Sequence, residues 1–246
     1  MFLFNRKSRN LIRPDYSLLN ADMHSHLLPG IDDGSPDTET SLQLIKGLKD
    51  LGYKKLVTTP HILWDVYKNT RDVIQQNLEL LRNKLIEEKI EIDLEAAAEY
   101  FIDDHLQELL DKKEPLLFFG NKMVLVEFSM MSRPFDFKKI LFDMQMQGYQ
   151  PVLAHPERYL YLERSQNTYD ELKAAGYLFQ MNILSLSGYY GNAVMKLARH
   201  LAENKYYDLI GTDLHHFAHL QALQHPSNSS LLQQIFESEK ILNRTL

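Results

Sequence analysis

Cysteine is absent from this chain of 246 residues, which excludes disulfides, thiolate-held zinc and any hydrolase that attacks through sulfur. Tryptophan occurs once, and glycine and proline number only 10 and 9, too few for a collagen-like or low-complexity chain. No apolar run approaches the roughly 18 residues that a membrane-spanning helix needs. Positive charge is in deficit: 27 Lys and Arg against 33 Asp and Glu leave a formal charge of -6. That balance offers no general attraction to nucleic acid, and no block of like charge is long enough to bind a polyanion. A cytoplasmic protein that does not bind nucleic acid is the expectation.

What is present describes a globular chain, with 44% hydrophobic and 24% charged residues, enough to build a sizeable core. An α/β barrel of this length fits in one domain, expected over residues 18–246. Residues 1–17 differ. Phe2, Leu3 and Phe4 precede Arg6, Lys7 and Arg9, the reverse of a signal peptide's charge order. The segment reads as a flexible basic tail. Its alternative is a weak contact with an anionic membrane surface, which would make the protein peripheral at the inner face.

Strand and helix signals alternate along the rest of the chain without a repeat or a linker. Strands are expected at 18–24, 53–59, 91–99, 123–129, 151–155, 177–182 and 207–213. Between them fall helices starting near Ser35–Asp37 and ending at Gly52, then at 71–89, 104–111, 137–147, 168–175 and 192–203, each called by helical spacing or by start and stop residues. Seven β/α units result. Strands separated by helices run parallel, so their C-terminal ends share one face.

Those ends carry the chemistry. The apolar runs close on His24 and His26, His61, Glu99, Glu127, His155, Asn182, and Asp213 with His215. Only Asn182 is a poor metal ligand. Asp32 and Asp33 lie in the turn LLPGIDDGS, where one of the two is expected to join the histidines. Glu99 and Glu127 end apolar strands, a costly place for a carboxylate without a cation. Such a mixture of imidazole and carboxylate suits manganese, iron, cobalt or zinc rather than calcium or magnesium. Two or three such ions together suit in-line attack of a metal-activated hydroxide on a phosphoester. Arg158, just beyond His155, adds a permanently charged donor fork for phosphate oxygens. His105, His200, His216, His219 and His225 are read as surface residues. Trp64, Tyr67, Phe135 and Tyr159 are the aromatic residues read as able to hold a substrate ring.

DMHSHLLPGIDDG, TTPH, AEY, LVEFS, AHPERY, QMN followed by SLSGYYG, and GTDLH resemble, in order, the motifs of the PHP (polymerase and histidinol phosphatase) superfamily. They are most similar to its bacterial tyrosine-protein phosphatase branch, associated with capsular and exopolysaccharide synthesis. The resemblance covers about residues 18–240. It implies a distorted (β/α)7 barrel with a trinuclear, usually manganese-dependent, site held by His24, His26, Asp33, His61, Glu99, Glu127, His155, Asp213 and His215. It also implies phosphate binding by Arg158, and the leaving-group chemistry of a phosphoester gives proton movement to His215 or Asp33. A second arginine that some members carry past the last ligand pair is replaced here by HFAHLQ, leaving His216 or His219 in its place. The implied substrate is a phosphotyrosine protein such as the tail of a bacterial tyrosine kinase. Two alternatives use the same residues: a histidinol phosphatase or other small-molecule phosphomonoesterase, and a noncatalytic metal-stabilised regulator.

Overall fold

The computed structural model describes residues 14–163, 167–224, 226–227 and 229–246. Residues 1–13, with Phe2, Leu3, Phe4, Arg6, Lys7 and Arg9, therefore lie outside the described residues, as does His225, whereas Tyr16 is buried in the core. In chain order the elements are β1 (Ala21–Asp22), α1 (Thr38–Leu51), β2 (Lys55–Thr58), β3 (His61–Ile62), α2 (Arg71–Glu87), β4 (Asp93–Ala96), β5 (Glu99–Phe101) and α3 (Asp104–Asp111). There follow β6 (Met123–Glu127), α4 (Phe137–Met146), β7 (Gln150–Ala154), α5 (Leu160–Glu163), α6 (Asn167–Ala174), β8 (Leu178–Asn182) and α7 (Ile183–Ser187). The chain closes with α8 (Asn192–Glu203), β9 (Leu209–Gly211), α9 (Phe217–Gln224) and α10 (Ser229–Glu237).

All strand pairs are parallel, in one sheet ordered β1-β2-β4 and another ordered β3-β5-β6-β7-β8-β9. The two sheets are one ladder interrupted. Lys55 faces Asp93 and His61 faces Glu99, the same offset on both sides of the break, and Glu99 N still donates to Pro60 O at 3.0 Å. Pro60 has no N–H to donate, so the ladder loses a rung there. At the other seam a parallel bridge joins Ser25 to Leu214, with His26 N donating to Leu214 O at 2.9 Å and Asp213 N to His24 O at 2.7 Å. The pairings thus close a ring of seven strands. It has the seven parallel strands that the alternating signals predicted and the distorted barrel form that the resemblance implied.

Alternation along the strands divides the core. Met23, Val57, Ala97, Met123, Leu125, Val152, Ala154 and Leu209 fill the barrel's interior as one cluster, with Phe119. The intervening residues Val124, Val126, Leu153, Phe179, Met181 and Ile210 join a larger cluster with the helices. In α1, Leu44, Ile45 and Leu48 are fully buried, each contributing about 1.5–3 kcal/mol relative to exposure. Asp37 caps that helix, its carboxylate accepting from Thr40 N at 2.8 Å. The last turn of the chain seals the opposite end of the ring: buried Asn243 donates Nδ2 to Ala21 O and Ile210 O and accepts from Ile210 N.

Three sequence expectations needed revision. The first strand is shorter than 18–24, because a 3-10 turn at Tyr16–Leu18 and a left-handed Asn20 (φ 64°) hold the chain back until Ala21. The second and third strands split at the Pro60 break. Helices α5, α7, α9 and α10 have no counterpart in the pattern reading; α5 and α7 run only 4 and 5 residues, too short to show a period.

Candidate metal centre

The seven strand ends deliver their side chains to one mouth of the ring. His24 and His26 follow β1, His61 opens β3, and Glu99 opens β5 beside it in register. Glu127 ends β6, His155 follows β7, Asn182 ends β8, and Asp213 and His215 follow β9. Two of these residues sit in left-handed backbone, His155 at φ 32° and Asp213 at φ 50°. Non-glycine residues rarely adopt it, and such strain collects at functional sites.

Glu99 is the hub, with no exposed surface. Its Oε2 lies 3.1 Å from His24 Nε2, 3.4 Å from His26 Nε2 and 3.3 Å from His61 Nδ1, and its Oε1 lies 3.2 Å from His155 Nε2. Glu127 Oε1 approaches His61 Nδ1 at 2.9 Å. Asp213 divides its carboxylate. Oδ1 faces His24 Nε2 at 3.3 Å, His26 Nε2 at 3.5 Å and His215 Nδ1 at 3.3 Å, whereas Oδ2 accepts from Arg158 and from Asn182 Nδ2, both at 2.9 Å. Asp33, its side chain 54% exposed, stands at the rim, 3.4 Å from His61 Nε2 and 3.7 Å from His215 Nε2.

The outer partners prepare the rings for a cation. His24 Nδ1 donates to Gln180 Oε1 at 2.9 Å and His26 Nδ1 to Asp32 Oδ2 at 2.8 Å, so both rings turn Nε2 inward. Those two nitrogens are 3.3 Å apart, a spacing that repels unless a proton or cation lies between. His215 Nδ1 donates to Asp213 O at 2.8 Å, leaving Nε2 free. Orientation of ligating imidazoles by carboxylates, amides and carbonyls is a recurring feature of metal sites. Buried Glu99 Oε1, His61 Nδ1 and His155 Nδ1 make no hydrogen bond of proper geometry, and unsatisfied buried groups of this kind are expensive.

Among the described residues, four overlapping groups have ligand atoms within 4.8 Å of one another: His26, Asp33, His61 and His215; His24, His26 and Asp213; His24, Glu99 and His155; and His61, Glu99 and Glu127. The structure thus brings together all nine residues expected as ligands.

Electrostatics reinforce this geometry. Burial opposes charge on His24, but Glu99 and Asp213 outweigh it and push the imidazole up to about 9. Burial is likewise overcome at His26, which Asp32 holds well above its ordinary value. Asp32 is held down to about 2, its burial outweighed by His26 and His61, and Glu99 sits well below the carboxylate range because His24 outweighs burial. His215 moves the other way. Burial and the charge of His26 lower it to about 4.

Above the cluster opens a cavity of about 460 Å³ whose lining includes Leu63, Tyr67, Phe101, Phe128, Arg158 and Tyr190. Of the four aromatic residues expected there, only Tyr67 takes part, stacked on His61. Tyr159 is fully buried and accepts from Phe128 N at 2.9 Å, Phe135 projects outward at 97% exposure, and Trp64 stacks on His105 beside a neighbouring groove. His219 is not a surface residue: it is buried, its Nδ1 accepting from His215 N at 3.3 Å. His216 is exposed but lines the same cavity, and His200 is exposed. The sequence reading missed Gln180, Asp32 as the partner of His26, and Tyr190. Gln180 and Tyr190 carry no ligand signature of their own, while Asp32 was visible only as one of two adjacent acids.

A closed parallel α/β ring with imidazoles and carboxylates converging at its C-terminal mouth is a barrel built around candidate metal clusters, the class of fold that the PHP resemblance implies. Within that class the chain belongs to the capsular polysaccharide synthesis family CpsB/CapC, whose profile matches residues 20–231. It is similar to the tyrosine-protein phosphatase YwqE of Bacillus subtilis, 28% identical over 194 residues, covering 79% of this chain and 76% of that protein. The tyrosine-protein phosphatase CpsB of Streptococcus agalactiae is 30% identical over 200 residues, covering 79% and 82%. A solved chain from the crystallographic work on YwqE from Bacillus subtilis and CpsB from Streptococcus pneumoniae, described as metal-dependent tyrosine phosphatases, matches with TM-score 0.79 and 27% identity over 89% of each chain.

Proposed function

We propose that this chain is a metal-dependent phosphatase that hydrolyses phosphotyrosine in a protein substrate. The observation that carries the reading is the Glu99 hub, a fully buried carboxylate ringed by four imidazole nitrogens at 3.1–3.4 Å directly beneath a cavity edged by Arg158. His24, His26, Asp33, His61, Glu99, Glu127, His155, Asp213 and His215 would hold two or three divalent ions, with manganese the expected metal. Their nitrogen and oxygen donors, without sulfur, suit that group of metals. When bound, the ions supply Lewis acidity toward water and phosphate oxygens.

The remaining work falls to the chain's own side chains. Arg158 presents its guanidinium to the phosphate, fixing its orientation and stabilising charge on the equatorial oxygens. Asp33, at the rim between His61 and His215, is placed to exchange a proton with solvent or with the departing oxygen. A tyrosine phenol has pKa about 10, so its departure needs little proton donation, whereas an alkoxide would need more. Tyr67, Phe101 and Phe128 give the cavity apolar wall for an aromatic ring. A tyrosine-kinase tail of the polysaccharide-synthesis machinery is the proposed partner, consistent with the family to which the chain belongs.

The test is turnover of a phosphotyrosyl peptide by purified protein before chelation, after chelation and after manganese is restored, with histidinol phosphate as the competing substrate. Activity lost and regained on the peptide supports the reading. Preference for histidinol phosphate would move the assignment to small-molecule phosphatases, and absence of turnover on either would leave a metal-stabilised binding protein.

A further inference from the structure

Arg158 is held by more than its ion pair. Its guanidinium carbon lies 4.5 Å from the centroid of the Tyr190 ring while one terminal N–H donates to Asp213 Oδ2 at 2.9 Å. Tyr190 is itself fixed: Asn182 Nδ2 donates to its hydroxyl oxygen at 3.2 Å and to Asp213 Oδ2 at 2.9 Å. The amide cannot be turned round, because Asn182 Oδ1 caps α7 by accepting from Leu184 N at 2.9 Å. The Asn182 backbone is anchored in turn, its N–H donating to buried Glu157 at 2.9 Å. Arg158, Asp213, Asn182 and Tyr190 therefore form a closed loop of contacts at the cavity wall.

The local sequence builds this loop. Tyr189 and Tyr190 stand between Gly188 at φ 83° and Gly191 at φ 95°, both in backbone that favours glycine. The two reversals end α7, start α8 and swing Tyr190 back over Arg158. An arginine has several rotatable bonds, and a single ion pair leaves most of that freedom. An aromatic face on its other side removes it, through cation–π attraction and contact.

We infer that Tyr190 is a positioning residue: its ring clamps Arg158 against Asp213 and keeps the unpaired donors of the fork turned toward a phosphate in the cavity. The inference rests on the proposed phosphatase reading. It assigns to the GYYG segment, and to Asn182, a part in phosphate recognition without contact to any ion.

Four proteins test it: wild type, Arg158→Ala, Tyr190→Leu and Tyr190→Phe, with the double variant Arg158→Ala/Tyr190→Leu to close a cycle. The readouts are kcat and KM on a phosphotyrosyl peptide, inhibition by inorganic phosphate, and bound metal per chain. Tyr190→Leu should lower kcat/KM and weaken phosphate inhibition by roughly 3- to 30-fold, the range of a partly desolvated cation–π contact. Metal content should hold, and Tyr190→Phe, which keeps the ring, should restore both readouts to within about threefold. In the Arg158→Ala background the Tyr190→Leu change should cost almost nothing further, because coupled residues are non-additive. Loss in Arg158→Ala with full retention in Tyr190→Leu, additive losses in the cycle, or Tyr190→Phe as impaired as Tyr190→Leu would each overturn the clamp while leaving the phosphatase reading standing. Equal activity in wild type and Arg158→Ala would overturn the clamp together with the phosphate-binding role of Arg158.

Discussion

Asp32 and His26 form a buried pair, Oδ2 to Nδ1 at 2.8 Å, and the same oxygen also accepts from His61 N at 3.1 Å. One carboxylate therefore orients the ring of one expected ligand and the backbone of another, whereas its neighbour Asp33 faces the cluster from the rim. Asp32→Ala should preserve every expected ligand and yet weaken metal binding by about 10- to 100-fold, the usual effect of losing such a partner. Metal titration followed by calorimetry would check it, and unaltered affinity would reduce Asp32 to a turn residue.

Glu99→Ala removes the hub around which four imidazoles gather. The expected outcome is loss of bound metal itself, beyond any fall in turnover, because two of the four ligand groups share this carboxylate. Elemental analysis of the purified variant decides the matter. Full occupancy would contradict a bridging role.

Arg158→Ala should separate anion recognition from metal assembly. It deletes a donor fork and leaves all nine expected ligands, so metal content should stay near wild type while turnover falls on the order of 10²-fold, as when one transition-state donor is removed. The ratio of the two measurements is the informative quantity. Metal loss in parallel with activity would mean that Arg158 matters chiefly by neutralising Asp213.

Acidity should oppose metal loading. The metal-stripped protein holds a proton on His24 up to about pH 9, since Glu99 and Asp213 more than offset its burial, against about 6.5 for an unfolded histidine. A raised folded value gives stability that is complete below pH 6.5 and lost as pH rises through 9. Metal needs the deprotonated ring, so binding displaces that proton and tightens as pH rises. The Tm gained on adding manganese should accordingly increase from pH 6 to pH 8.5 in scanning calorimetry. A gain independent of pH would argue that His24 is already neutral.

Much of this architecture was legible because each strand end is marked twice, by the close of an apolar run and by a ligand-type residue. His61, Glu99, Glu127 and Asp213 show both marks, and they meet because parallel strands share a C-terminal face. The residues that hold them were not legible. Gln180 and Tyr190 are ordinary polar and aromatic side chains: the role of Gln180 depends on closure of the ring, which brings His24 beside it, and that of Tyr190 on the glycine-flanked turn that lays it over Arg158. Tyr159 and Phe135 were misplaced for the same reason: an aromatic residue near a ligand in sequence can point to the core or to solvent, and only packing decides. The fate of Asp32 and Asp33 turned on one step of a glycine-bounded turn, finer than periodicity resolves.

Gly211 tests how tightly the floor of the site is built. It sits on β9 beneath the cluster, and a Cβ there would lie 2.6 Å from His24 Cβ and 2.8 Å from Gln180 Nε2. Neither neighbour can yield freely, because His24 Nδ1 is bonded to Gln180 Oε1 and Gln180 Nε2 to Met181 O. Moving Gln180 would also disturb His155, whose N–H donates to the same Oε1 at 3.2 Å. Gly211→Ala should cost about 1–3 kcal/mol as overpacking and lower metal affinity as well, since the strain is relieved by tilting the His24 ring. A surface change of equal stability cost would lower Tm without changing affinity. Thermal unfolding and metal titration on the same preparation separate the two, and an Ala variant destabilised but binding metal normally would show that the floor relaxes away from His24.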